Sequence, residues 1–176
     1  MTAAMLLSAA LAAGLPGVPP TTKTADVVDY IETVAPYTGS FRAWQLAKSI
    51  TWAARHFGVE PLLLAAITRQ ESAFRPETKV CYIVARHHAS FPTCDYGLTQ
   101  VNQVWVDKWG LDAERLVNDD AYALFYGARV LAILQREYAD DEPETWFSRY
   151  NTSSPGPRAQ YEAALEPWLA AIETSH

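Results

Sequence analysis

Between Asp119 and Tyr138 the residues Leu124, Phe125, Ala128, Leu131, Ala132 and Leu134 leave a helix with little polar surface. A helix apolar almost all round cannot lie on the outside of a protein; other helices must surround it, so it belongs in the middle of a bundle. Most of what precedes and follows it is also helical in period. Asp26 is placed to cap a helix whose Val27, Val28, Ile31 and Val34 share a face and which Pro36 stops. Ser40 is placed to cap a second, ending at Gly58, and Pro61 suits the first turn of a third. Thr99–Trp109 reads as a fourth, closed by Gly110, and a last one runs from about Arg158 to Glu173. Only Val80–Val84 has a period that fits a strand as well as a helix. The expectation is a mainly α domain over residues 26–176 with a long buried central helix and at most a minor β element.

Residues 1–25 differ in character. Met1–Val18 is apolar and rich in small side chains, Ala10 and Ala12 give an A-x-A pattern, and a Pro-rich linker follows. This reads as a secretory signal with its cleavage site, although no Lys or Arg precedes Lys23. The competing readings are an uncleaved apolar arm making membrane contact through residues 1–18, and an Ala-rich leader without structure. A cleaved leader puts the protein in the periplasm or outside the cell; an uncleaved one suits a phage virion component acting in the host periplasm. Gly14 and Pro16 interrupt the run before the roughly 20 apolar residues that a membrane span needs. The 20 acidic side chains outnumber the 14 basic ones, giving a net charge of -6, which argues against nucleic acid as a partner.

The third helix contains an anomaly. Leu64, Ile67, Glu71 and Phe74 are spaced by three, four and three, so a carboxylate stands on an otherwise apolar stripe. Burying an ionised carboxylate costs several kcal/mol unless it is paired, so such a group raises its pKa and retains a proton. A carboxyl still protonated near neutrality is a general acid. The plainer reading turns Glu71 to solvent or pairs it with Arg69 or Arg75.

Four short motifs decide between these readings. Gln70-Glu71-Ser72-Ala73-Phe74-Arg75-Pro76 resembles the E-S-x-F-x-P motif of the soluble lytic transglycosylases, a family with the goose-type lysozyme fold. Gly97-Leu98-Thr99-Gln100-Val101-Asn102 is similar to that family's G-L-M-Q-I-N, and Arg149-Tyr150-Asn151 to its A-Y-N. Tyr161 stands where the family's last tyrosine follows. The resemblance implies a peptidoglycan glycan strand as substrate and neither metal nor cofactor. Glu71 would be the catalytic acid and afterwards the base, and Ser72 would orient it or touch the substrate. Gly97 would let the backbone pass close to a sugar, with Leu98 packed beneath. Gln100 and Asn102 would offer amides to acetamido groups and hydroxyls. Tyr150 and Asn151 would lie near the cleaved bond, and Tyr161 would donate towards Glu71 or the substrate. Arg149 departs from the family, which has a small residue there, and so does Thr99, which replaces the usual Met.

An inverting or ordinary retaining glycosidase needs two carboxylates, and one clear candidate exists here. The resemblance therefore implies cleavage of the N-acetylmuramic acid–N-acetylglucosamine bond with the muramyl 6-hydroxyl as nucleophile, leaving 1,6-anhydro ends. Two alternatives stand beside it: a hydrolytic muramidase in which Asp95 is the second carboxylate, and a non-catalytic wall-binding or virion structural protein. A small enzyme of this kind would serve wall remodelling, or a secretion, conjugation or phage entry machine. Cys81 and Cys94 form a disulfide in an oxidising compartment or remain free thiols in a reducing one. With His87 and His88 they invite a zinc reading that their spacing does not favour.

Overall fold

In the computed structural model, which describes residues 21–86, 89–152 and 154–174, the chain is mainly helical. Residues 1–20, and with them the leader and the contact expected of residues 1–18, lie outside the described residues, as do His87 and His88. Helix α1 (Thr24–Val34) begins two residues before the expected cap. Asp26 lies inside it, three residues after the capping position, where its carboxylate accepts the Lys23 backbone N–H at 2.7 Å. An acid on the first turn meets orphan amides there as well as it would from the cap. Helix α2 (Ser40–Phe57) likewise takes Ser40 as its first residue, with Gly39 at the cap, and ends on the left-handed Gly58. A link of three residues turns the chain into α3 (Pro61–Ser72), with Pro61 at the first position. So short a connection keeps α2 and α3 in contact.

The ambiguous segment is a strand. β1 (Lys79–Arg86) pairs antiparallel with β2 (Ala89–Tyr96) from Lys79↔Tyr96 to Arg86↔Ala89, which sets Cys81 directly opposite Cys94. The two cysteines form a disulfide, so among the described residues neither is a free thiol or a metal ligand. A bridge closing a loop of this length is worth about 3 kcal/mol against the unfolded chain. The bridge pins the register, since a slip of one residue would send every side chain to the opposite face. Reductant is expected to make the hairpin the first site of limited proteolysis while the helices stay protected; equal cleavage with and without reductant would count against this.

The expected helix from Thr99 starts later. Thr99 and Gln100 belong to a turn, and β3 (Val101–Asn102) pairs with β2 through Asp95↔Asn102 and Tyr96↔Val101. Helix α4 (Gln103–Trp109) then begins under the Asn102 side chain, which accepts the Val104 N–H at 3.0 Å. The reason for the delay is Gln100, whose φ of 48° cannot enter a right-handed helix. Short α5 (Ala113–Asn118) leads to α6 (Asp120–Tyr138), capped by the Asp119 carboxylate. Helix α6 packs on α2, on α5 and on the 3-10 turn Trp146–Tyr150, and α7 (Pro155–Thr174) closes over α1 and α3. All residues of α3 from Pro61 to Thr68 are buried. The helix carrying Glu71 is thus fixed from several sides.

Candidate active site

Glu71 lies in the last turn of α3, and Leu64, Ile67 and Phe74 of the same stripe are buried. The backbone reverses directly after it: Ala73 and Phe74 both adopt left-handed conformations, with φ of 53° and 56°. Two successive non-glycine residues there cost roughly 1–2 kcal/mol each and persist because the surroundings hold them. The Ala73 N–H donates to the Arg69 carbonyl at 3.0 Å, and the Tyr37 hydroxyl donates to the Ala73 carbonyl at 2.7 Å.

The Glu71 carboxyl is enclosed by protein on most sides and still reached by solvent. Tyr161, buried on α7, donates its hydroxyl to Oε1 at 2.6 Å. Arg69 does not pair with it: its Nε donates to the Val34 carbonyl at 2.9 Å and its guanidinium lies over the Trp168 ring, 4.0 Å from the centroid. Among the described residues no ion pair reaches Glu71. Burial therefore lifts its pKa to about 7; the Tyr161 bond opposes the rise and the charge of Asp95 adds to it. Tyr161→Phe removes the opposing bond and should move the alkaline limb of kcat/KM to higher pH, with a rate loss of about tenfold. An unchanged pH profile would show that the hydroxyl does not act on this carboxyl.

Asp95 faces the same space from β2. Asn102 Nδ2 donates to its Oδ1 at 2.6 Å and the Tyr82 hydroxyl bonds it too, yet burial still raises its pKa. Tyr82 accepts from Asn102 at 3.3 Å and feels the charge of Glu71. It is the residue that the motifs do not indicate. Its only signal in the sequence is the strand-like period of Val80–Val84, which in the observed register puts Tyr82 on the face of Asp95.

The other candidates are placed as follows. Ser72 is buried and its hydroxyl donates back to the Thr68 carbonyl at 3.2 Å. Gln100 donates Nε2 to the carbonyls of Gly97 at 2.7 Å and Thr78 at 3.2 Å, holding its own strained turn. Asn102 spends its amide on Asp95 and its oxygen on α4. Leu98 is fully buried. Gly97, at φ 72°, has the Leu116 carbonyl and the Ala123 methyl where a Cβ would stand, so the close approach that requires glycine is to protein backbone. Tyr150 donates its hydroxyl to the Thr99 carbonyl at 2.7 Å, and Glu71 and Asp95 both raise its pKa by charge, second to burial. Asn151 is exposed at the end of the 3-10 turn. Arg149, the departure from the third motif, is held by Glu142 and lies over the Tyr138 ring at 3.9 Å. Thr99, the departure from the second, is buried, gives its hydroxyl to the Ala123 carbonyl at 2.9 Å, and sits against Gly127 of α6.

Two partly buried carboxyls, Glu71 and Asp95, thus stand among tyrosines at the junction of α3, α7, the hairpin and the turn before β3. A family model described as Transglycosylase SLT domain matches residues 48–161, and the chain belongs to that family. Lytic transglycosylase activity, with peptidoglycan as the substrate class, goes with this membership. Neither a curated protein nor a solved structure matches the chain.

Proposed function

We propose that the protein cleaves the bond between N-acetylmuramic acid and N-acetylglucosamine with Glu71 as the acid and then the base, leaving 1,6-anhydro-muramyl ends. The observation that carries this is the Glu71 carboxyl, partly buried and with no cationic partner among the described residues, so that burial lifts its pKa to about 7. A carboxyl raised this far still carries a proton in part of the molecules near neutral pH, so it can protonate the bridging oxygen as the glycosidic bond breaks. The muramyl acetamido group stabilises the cationic centre. The carboxylate so formed removes the proton of the 6-hydroxyl, whose oxygen bonds to the anomeric carbon, and the acid is regenerated. Atoms balance without water. Tyr161 supports the ionised stage, because its hydroxyl donates to the carboxylate oxygen. The disulfide favours export to an oxidising compartment, in keeping with the periplasm.

The hydrolytic reading has one observation in its favour, since Asp95 lies near enough to raise the pKa of Glu71 by its charge. It requires a water between the two carboxylates, and Asp95 already accepts from Asn102 and Tyr82. Mass spectrometry of muropeptides released from purified peptidoglycan separates the two. Anhydro ends, lighter by one water, are expected; reducing muramyl ends would move the assignment to Asp95, and no release at all would leave a wall-binding protein.

A further inference from the structure

Helix α2 has a face that is largely exposed, with only Trp52 stacked against Phe125 of α6 and Arg55 bonded to Thr22 at its far end. Phe41, Trp44, Lys48, Trp52 and Arg55 are spaced by three, four, four and three and so form one stripe, about 20 Å long. Phe41 is 74% exposed, Trp44 49% and Trp52 57%. Single exposed apolar residues are ordinary, whereas three large aromatic rings in a row mark a contact surface. Charge singles out the same helix. The chain has more acidic than basic side chains, yet α2 contains no Asp or Glu and carries Lys48 and Arg55 on this stripe, while Arg42 beside it is paired with Asp120 of α6. The Lys48 ammonium stands 4.4 Å from the centroid of the Trp44 ring, so a cation and an indole share one spot.

The stripe also lies beside the first described residues of the chain. Arg55 Nη2 donates to the Thr22 carbonyl at 2.8 Å, and the Thr22 hydroxyl bonds Glu60 at the start of α3. Beside them is a cavity of about 420 Å³ lined by Thr24, Lys48, Thr51, Trp52, Arg55 and His56.

We propose that this face of α2 docks on an anionic lipid surface, with the rings of Phe41, Trp44 and Trp52 among the upper acyl carbons and Lys48 and Arg55 among the headgroups. Indole rings prefer the membrane–water boundary, and basic residues near an anionic leaflet are drawn to it by charge. The buried face of α2, from Ala43 through Leu46, Ala47 and Ile50 to Ala53 and Ala54, is committed to the core, so the helix lies on the bilayer and does not enter it. A shallow contact of this kind is weak and reversible by itself, and firm attachment takes a second apolar signal. The contact is independent of the chemistry at Glu71.

The test is co-sedimentation of the full chain with vesicles of phosphatidylcholine alone or mixed equally with phosphatidylglycerol. Binding to the mixed vesicles is expected, weakened at least about tenfold by Phe41→Ser with Trp44→Ser and also by Lys48→Glu, with turnover of soluble glycan fragments unchanged. The two variants act through different forces, so misfolding of one leaves the other as a reading. Undiminished pelleting of either folded variant, or indifference to phosphatidylglycerol, would overturn the proposal. So would variants that keep vesicle binding but lose binding to insoluble peptidoglycan, which would make the stripe a glycan surface.

Discussion

Glu71→Gln should lower release of muropeptides by at least about a thousandfold and at the same time make the protein harder to unfold at pH 7. Glutamine preserves the volume and can still accept the Tyr161 hydroxyl, so the fold is retained; what disappears is the transferable proton. The gain in stability follows from the raised pKa. Between its ordinary value of 4.5 and about 7, the folded protein holds a proton at Glu71 that the unfolded chain has lost, so stability falls as pH rises across this window. The substitution removes that penalty, worth about 1–3 kcal/mol at pH 7 and nothing well below pH 4.5. Thermal midpoints of both proteins at pH 4 and pH 8 check this: they should coincide at the acid end and separate at the alkaline end. The same proton sets the activity profile of the natural sequence, whose kcat/KM should decline as pH rises through about 7. A glutamine variant that clears cell-wall suspensions at the natural rate would end the assignment of Glu71.

Gly97→Ala is the change expected to harm the fold most. Residue 97 has a φ of 72°, and an added methyl would enter the contact radius of the Leu116 carbonyl oxygen and come within 3.0 Å of the Ala123 methyl. The first is a backbone atom and cannot step aside. The left-handed conformation costs about 1 kcal/mol and the overlap a further 1–3 kcal/mol, a large part of the roughly 5–15 kcal/mol that holds a domain together. Gly58→Ala is the control, because Gly58 has the similar φ of 71° and open space around it. Its urea midpoint should fall by only about 1 kcal/mol in equivalent stability, whereas Gly97→Ala should fall by several times that. Equal losses would mean that contact with Leu116 adds nothing.

The helices and the acid were legible because both depend on residues near one another in the chain. Spacings of three and four put Glu71 on an apolar stripe whatever the rest of the protein does. The hairpin was less legible, since a strand is specified by a partner as well as by its own residues, and nothing in Lys79–Arg86 alone says that Cys81 meets Cys94. The late start of α4 has a similar cause. Thr99–Asn102 has an unremarkable helical composition, and it is the bonds from the Gln100 amide to the carbonyls of Gly97 and Thr78 that hold the turn open. The amides of Gln100 and Asn102 show the limit of reading motifs. Sequence reveals that an amide is present, but not whether its donors are already taken by the protein, and here both side chains have internal partners. Residue identity alone cannot separate a group that touches a sugar from one that keeps the neighbouring backbone in shape.

Thr99 and Gly127 occupy a single allotment of space. A Cβ on Gly127 would stand 2.5 Å from the threonine oxygen, so whatever one position gains the other must surrender. Glycine in mid-helix sacrifices about 1 kcal/mol, and α6 bears that loss where the Thr99 side chain presses into it. Mutational drift at these two sites is consequently yoked. A chimera that imports a bulkier residue at either site without altering its counterpart should fail to assemble, while a donor fragment carrying both sites together should transfer intact.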